Sequence, residues 1–153
     1  MKRAIAVAAL SFALALEARA GDPLQDFMRH VDAQAKSDMS RFHATVAAQF
    51  GVPEVQVRAV LGRVHDPGEA FMVFQVSQMS HQPLDRVLPV YESHKGKGWG
   101  AMAKELGIKP GSAEFHALKN GDLQYGPGDG HGKGKDKGHG KGKDKDKGKG
   151  KDK

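Results

Sequence analysis

Between Pro23 and Gly121 the apolar residues return mostly at three- and four-residue intervals, the spacing that lines them along one side of a helix. Asp22-Pro23 sets an N-cap residue before a proline at the first helical position; with Leu24, Phe27, Met28 and Val31 behind it, the pattern predicts a helix over 23–36. Ser37 or Asp38 caps a second helix through Met39, Phe42, Val46 and Phe50, closed by Gly51 and blocked from simple continuation by Pro53. Val55, Val60 and Leu61 make a short third helix that ends at Gly62.

Asp66-Pro67-Gly68-Glu69 carries the strongest start signal. Asp66 is placed to cap a backbone N–H near Glu69 while Glu69 reaches back, a reciprocal capping box. The helix that follows holds Phe71, Met72, Val73, Phe74, Val76 and Met79, apolar around most of its circumference, and is expected at the centre of the fold. The same letters suit a buried strand, and the cap decides for helix. Pro83 restarts the pattern with Leu84, Val87, Leu88 and Tyr91, with a kink or early end expected at Pro89. Trp99, Met102, Ala103 and Leu106 form a short helix closed by Gly107, and Ser112 caps a last one carrying Phe115 and Leu118 up to Asn120-Gly121. The predicted fold is all-α, a small bundle of about six short helices followed by a disordered C-terminal tail.

The two ends follow other rules. Met1-Lys2-Arg3 is basic, Ala4 to Leu16 is apolar, and Ala18-Arg19-Ala20 has the small-x-small form of a signal-peptidase site, so residues 1–20 read as a secretory signal peptide. The apolar run is shorter than the roughly 20 residues a membrane-crossing helix needs. Export to the periplasm or the medium is the expectation. No cysteine is present, so the body over 21–125 must hold together by packing alone, which a domain of roughly 105 residues can do.

From Gly126 to Lys153 the chain is built of glycine, lysine and aspartate, with two histidines and one proline and no aliphatic or aromatic side chain, and it cannot bury a core of its own. Its like charges recur two residues apart, about 6–7 Å when extended, inside the roughly 8 Å screening length of physiological salt. Charge is partitioned accordingly. The net +6 of the whole chain is mostly tail, with ten lysines against five aspartates; the body has 11 basic residues against 12 acidic ones. Binding to a polyanion must therefore rest on Lys133, Lys135, Lys137, Lys141 and Lys143 together with Lys145, Lys147, Lys149, Lys151 and Lys153. The expected partner is an acidic envelope component, lipopolysaccharide or anionic lipid, held weakly and released by salt. A solubilising brush is the alternative role. Without aromatic residues the tail has no stacking platform for single-stranded nucleic acid.

Catalytic motifs are absent from the sequence: there is no H-E-x-x-H pair, no G-x-S-x-G elbow, no phosphate-binding G-x-x-x-x-G-K-[ST] loop and no thiol. Asp144, Asp146 and Gly148 miss the EF-hand spacing, and no metal or cofactor is implied. His94 with Glu92, or His116 with Glu114, are candidate acid/base pairs if the fold brings them together. The basic loop His94-Lys95-Gly96-Lys97-Gly98 before Trp99 suits either a hinge or a small-anion site, with His94, Lys95, Lys97 and Trp99 as its ligand-binding residues. Ala103 and Gly107 fit a loose helix-turn-helix pattern, but Ser112-Ala113-Glu114 is a poor start for a helix that reads bases. A helical corner packed by Trp99, Leu106, Ile108, Phe115 and Leu118 is the expectation.

The block VYESHKGKGWGAMAKELGIKPGSAEFHALKNG, within about residues 52–121, resembles the shared region of small secreted bacterial proteins of unassigned function, most specifically in KGKGWG, AKELGIKPGS and EFHALK. The resemblance implies export and a helical fold, and it carries over no catalytic or ligand residue.

Overall fold

The computed structural model describes residues 21–127, and the described residues form seven helices and no strand. These are α1 (Pro23–Ser37), α2 (Met39–Phe50), α3 (Glu54–Leu61), α4 (Pro67–Ser80), α5 (Leu84–Ser93), α6 (Trp99–Glu105) and α7 (Ala113–Asn120). The all-α bundle is as expected; the seven segments read one by one from the sequence each form a helix, one more than the total of about six. Asp38 has extended backbone at φ −153°, so α1 and α2 stay separate, and each capped segment forms a helix of its own. The predicted signal peptide, and the predicted tail beyond Pro127, lie outside the described residues.

Helix α4 is the core of the bundle. Ala70, Phe71, Met72, Val73, Phe74 and Val76 are all buried, because α1, α2, α3 and α5 pack around it. The ring of Phe71 meets those of Phe27, Phe50 and Tyr125 at centroid distances of 5.4, 5.3 and 5.7 Å. Contact with α1 is the most extensive, and Gly68 makes it possible: a Cβ there would stand 2.8 Å from the carbonyl oxygen of Met28.

Asp22 caps Leu24 (3.1 Å), Asp38 rather than Ser37 caps Arg41 (2.9 Å), and Ser112 caps Phe115 (3.2 Å), each side-chain oxygen accepting a backbone N–H. At α4 the predicted capping box is displaced. Glu69 Oε2 accepts from His65 N–H at 2.9 Å, one residue before the N-cap Asp66, and the Asp66 side chain makes no cap bond. Its place is taken from outside the helix by Asp32 of α1, whose Oδ1 accepts the Gly68 N–H at 2.6 Å. Burial pushes the Asp32 carboxyl up from its ordinary pKa; the Gly68 N–H pulls it back, and the neighbouring Asp66 raises it again.

Helix α5 does not end at Pro89 but continues to Ser93. Asp85 and Pro89 are both exposed, so the carbonyl that loses its donor faces water. The corner between α6 and α7 packs as expected, with Trp99, Leu106, Ile108 and Leu118 buried and Phe115 half-buried. Beyond α7, Leu123 and Tyr125 are buried, and the Gln49 amide binds the backbone like a neighbouring strand: it donates to the Gln124 carbonyl (2.7 Å) and accepts the Gly126 N–H (2.9 Å). The packed body therefore includes Gly126, and the tail departs from a fixed root on α2.

Candidate functional site

The loop that joins α5 to α6 carries the predicted ligand-binding residues. His94 caps the C-terminus of α5, Lys97 N–H closes a turn onto the His94 carbonyl at 2.9 Å, and Gly96 and Gly98 reverse the chain at φ 85° and 84°, values that favour glycine. This geometry brings three of the four residues to one cleft of about 270 Å³. His94, Lys95 and Trp99 border it, joined by Tyr91, Glu69 and His65; Lys97 is exposed and does not line it.

Each of the three already has partners. The Trp99 indole is a core group, stacked on Tyr91 at 5.8 Å. Lys95 Nζ stands 5.3 Å from the centroid of the Tyr91 ring, a cation–π contact. The His94 imidazole ties two helices together, with Nδ1 3.0 Å from the Val90 carbonyl and Nε2 2.7 Å from Glu105 Oε2 on α6. The Ser93 hydroxyl also lies 3.0 Å from Nδ1. The pairing of His94 with Glu92 does not form, since Glu92 accepts from Arg63 at 2.7 Å instead.

At the cleft the Tyr91 hydroxyl donates to Glu69 Oε2 at 2.6 Å. Burial, followed by this bond and the charge behind it, raises the Tyr91 pKa well above that of a free phenol. An anion entering it would meet Lys95 and His94, but also the carboxylate of Glu69, and would compete with that of Glu105 for the imidazole. The sequence concealed Tyr91 and Glu69 as members of this cleft, because one reads as a core position and the other as a cap.

In α7 the first turn carries Glu114, whose carboxyl is held below its ordinary pKa by its own backbone N–H and by the Ser112 hydroxyl; Lys119 stands in the last turn. An acidic start is the reverse of what a helix entering a DNA groove presents. Among the described residues no group of three or more His, Cys, Asp or Glu is placed to hold a metal ion, and no helix is long and apolar enough to cross a membrane. The tail lysines lie outside the described residues. No family model, no curated protein and no solved structure matches the chain.

Proposed function

We propose that this chain is an exported, non-enzymatic helical domain whose Gly/Lys/Asp-rich tail tethers it weakly to acidic components of the cell envelope, lipopolysaccharide or anionic lipid head groups. The observation that carries this reading is the partition of charge. Ten lysines stand against five aspartates from Gly126 onward, while the body is close to neutral. The fixed root supports it: Gly126, where the Gly/Lys/Asp-rich sequence begins, is held to α2 by Gln49. Each lysine near an anionic surface contributes about 1 kcal/mol before its aspartate neighbours weaken the field, so the grip is reversible and sensitive to salt.

The second reading, a small-anion binder or enzyme centred on the His94–Trp99 loop, rests on Lys95 and His94 sharing a cleft, and the two nearby carboxylates weigh against it. The test is cell fractionation of the full chain. The tether reading expects a product beginning at Gly21 in the envelope fraction, released into solution as salt rises from about 0.05 to 0.5 M. Recovery in the cytoplasm, or retention that ignores salt, contradicts it.

A further inference from the structure

A second cleft, of about 380 Å³, also borders Gly98 and Trp99 but opens between the start of α1, α6 and α7. Its floor is apolar, made by Leu24, Trp99, Phe115 and Leu118, and Phe115 is an aromatic ring that the core covers only in part. Lys104 and Lys119 stand in its lining. The Lys104 ammonium lies 5.9 Å from the centroid of the Phe115 ring, which holds the charge over the aromatic wall. Among the described residues neither lysine is in an ion pair.

Gly100, within α6, is part of the same wall. Its φ is not positive, and a Cβ at this position would meet only Phe115 Cζ at 3.9 Å, an ordinary contact. Neither backbone geometry nor packing therefore calls for glycine at this second position of α6. What the missing side chain does is leave the cleft open.

We infer that this cleft binds a small amphipathic monoanion: a carboxylate set between Lys104 and Lys119, carried on an aromatic or short aliphatic body that lies against Trp99 and Phe115. The volume falls in the range of small-ligand sites, and a mostly apolar lining with a few converging charges is their usual make-up. Asp22 is the one acidic residue in the lining, its Oδ1 engaged by the Leu24 N–H, and its charge disfavours a dianion such as phosphate. This inference does not depend on the tail.

Trp99 is the only tryptophan of the chain and borders both clefts, so its emission reports binding and the NMR amide shifts say at which cleft. The experiment titrates the full chain in about 0.15 M salt, where exposed charges are screened beyond about 8 Å, with 3-phenylpropionate, its uncharged amide and inorganic phosphate. The expected result is a saturable change with 3-phenylpropionate, with the amide and phosphate each weaker by at least about tenfold, the scale of one charge-assisted contact. Lys104→Met with Lys119→Met keeps the apolar stems and is expected to weaken binding by a similar factor; Gly100→Leu fills the cleft and abolishes it, while Gly100→Ala retains it. Helical circular dichroism checks that each variant folds, and NMR shifts of the Gly100 and Phe115 amides in the unaltered chain locate the ligand without any variant. Absence of saturation, an amide that binds as tightly as the acid, a lysine double variant of undiminished affinity, or shifts elsewhere than this cleft would each overturn the inference.

Discussion

Tyr91 donates its hydroxyl to Glu69 at 2.6 Å, joining the last turn of α5 to the first turn of α4. The same carboxylate accepts the His65 N–H, so a single side chain closes the α4 N-terminus and anchors the helix that leads into the His94–Gly98 loop. Tyr91→Phe keeps the ring on Trp99 and removes only the hydrogen bond. It is expected to cost about 1–3 kcal/mol, read as a lower melting temperature.

That phenol also fixes a pH dependence. Its pKa is raised in the folded chain, so its contribution is complete below the unfolded value near about 10 and is lost as pH rises beyond it. Urea unfolding between about pH 9 and 11 is expected to show falling stability in the unaltered chain and a flatter profile for Tyr91→Phe.

Asp32, bonded to the Gly68 N–H at the start of α4, follows the same sign at lower pH. Its raised pKa means that the stability it adds is complete below about 3.8 and falls away as pH rises through the folded value, so the ionised form is a burden at neutral pH. Asp32→Asn keeps an acceptor for Gly68 N–H without the charge, and is expected to leave the pH 7 melting temperature unchanged or higher. Asp32→Ala strands that N–H and is expected to cost about 1–3 kcal/mol.

Three glycines separate close packing from backbone strain. A Cβ at Gly68 would meet the Met28 carbonyl oxygen at 2.8 Å, and one at Gly121, where φ is +66°, would meet that of Pro23 at 2.6 Å; Gly51, at φ +65°, has nothing within 4 Å. Gly51→Ala should therefore cost only the left-handed penalty, about 1–2 kcal/mol. Gly121→Ala adds a backbone collision and should cost more, and Gly68→Ala should force α1 from α4 at about 1–3 kcal/mol. Thermal melts of the three variants give the order.

Gln49→Ala removes both bonds to the segment from which the tail leaves. Amide exchange at Gly126 is expected to speed up markedly, with a loss of global stability of about 1–2 kcal/mol.

What the sequence made legible is what short stretches decide alone. Asp22, Asp38 and Ser112 cap helices a few residues away, and the apolar run after Pro67 could be buried on all sides only at the centre. The bonds Asp32–Gly68, Glu69–Tyr91 and Gln49–Gly126 join residues 36, 22 and 77 positions apart, and local pattern carries no trace of them. Asp66 has the better local preference as a cap, yet Asp32 supplies the bond because the close contact of α1 with α4 brings it there.

The candidate site divides in the same way. A hinge was readable in the glycines around Lys97, and the turn that forms there is what gathers His94, Lys95 and Trp99. That the reversal leaves Lys97 pointing to water depends on the φ of Gly96 and Gly98. Glu92 is the acid nearest to His94 in sequence, but positions two apart on a helix do not face each other, and Glu105 reaches the imidazole from α6.

The most direct test of the tether is cosedimentation of the full chain with vesicles containing lipopolysaccharide or anionic lipid, beside a full-length variant with all ten tail lysines changed to glutamine. The account predicts that the unaltered chain pellets at about 0.05 M salt and is freed by about 0.5 M, and that the glutamine variant stays in solution throughout. Equal pelleting of the two chains, or binding indifferent to salt, would contradict it.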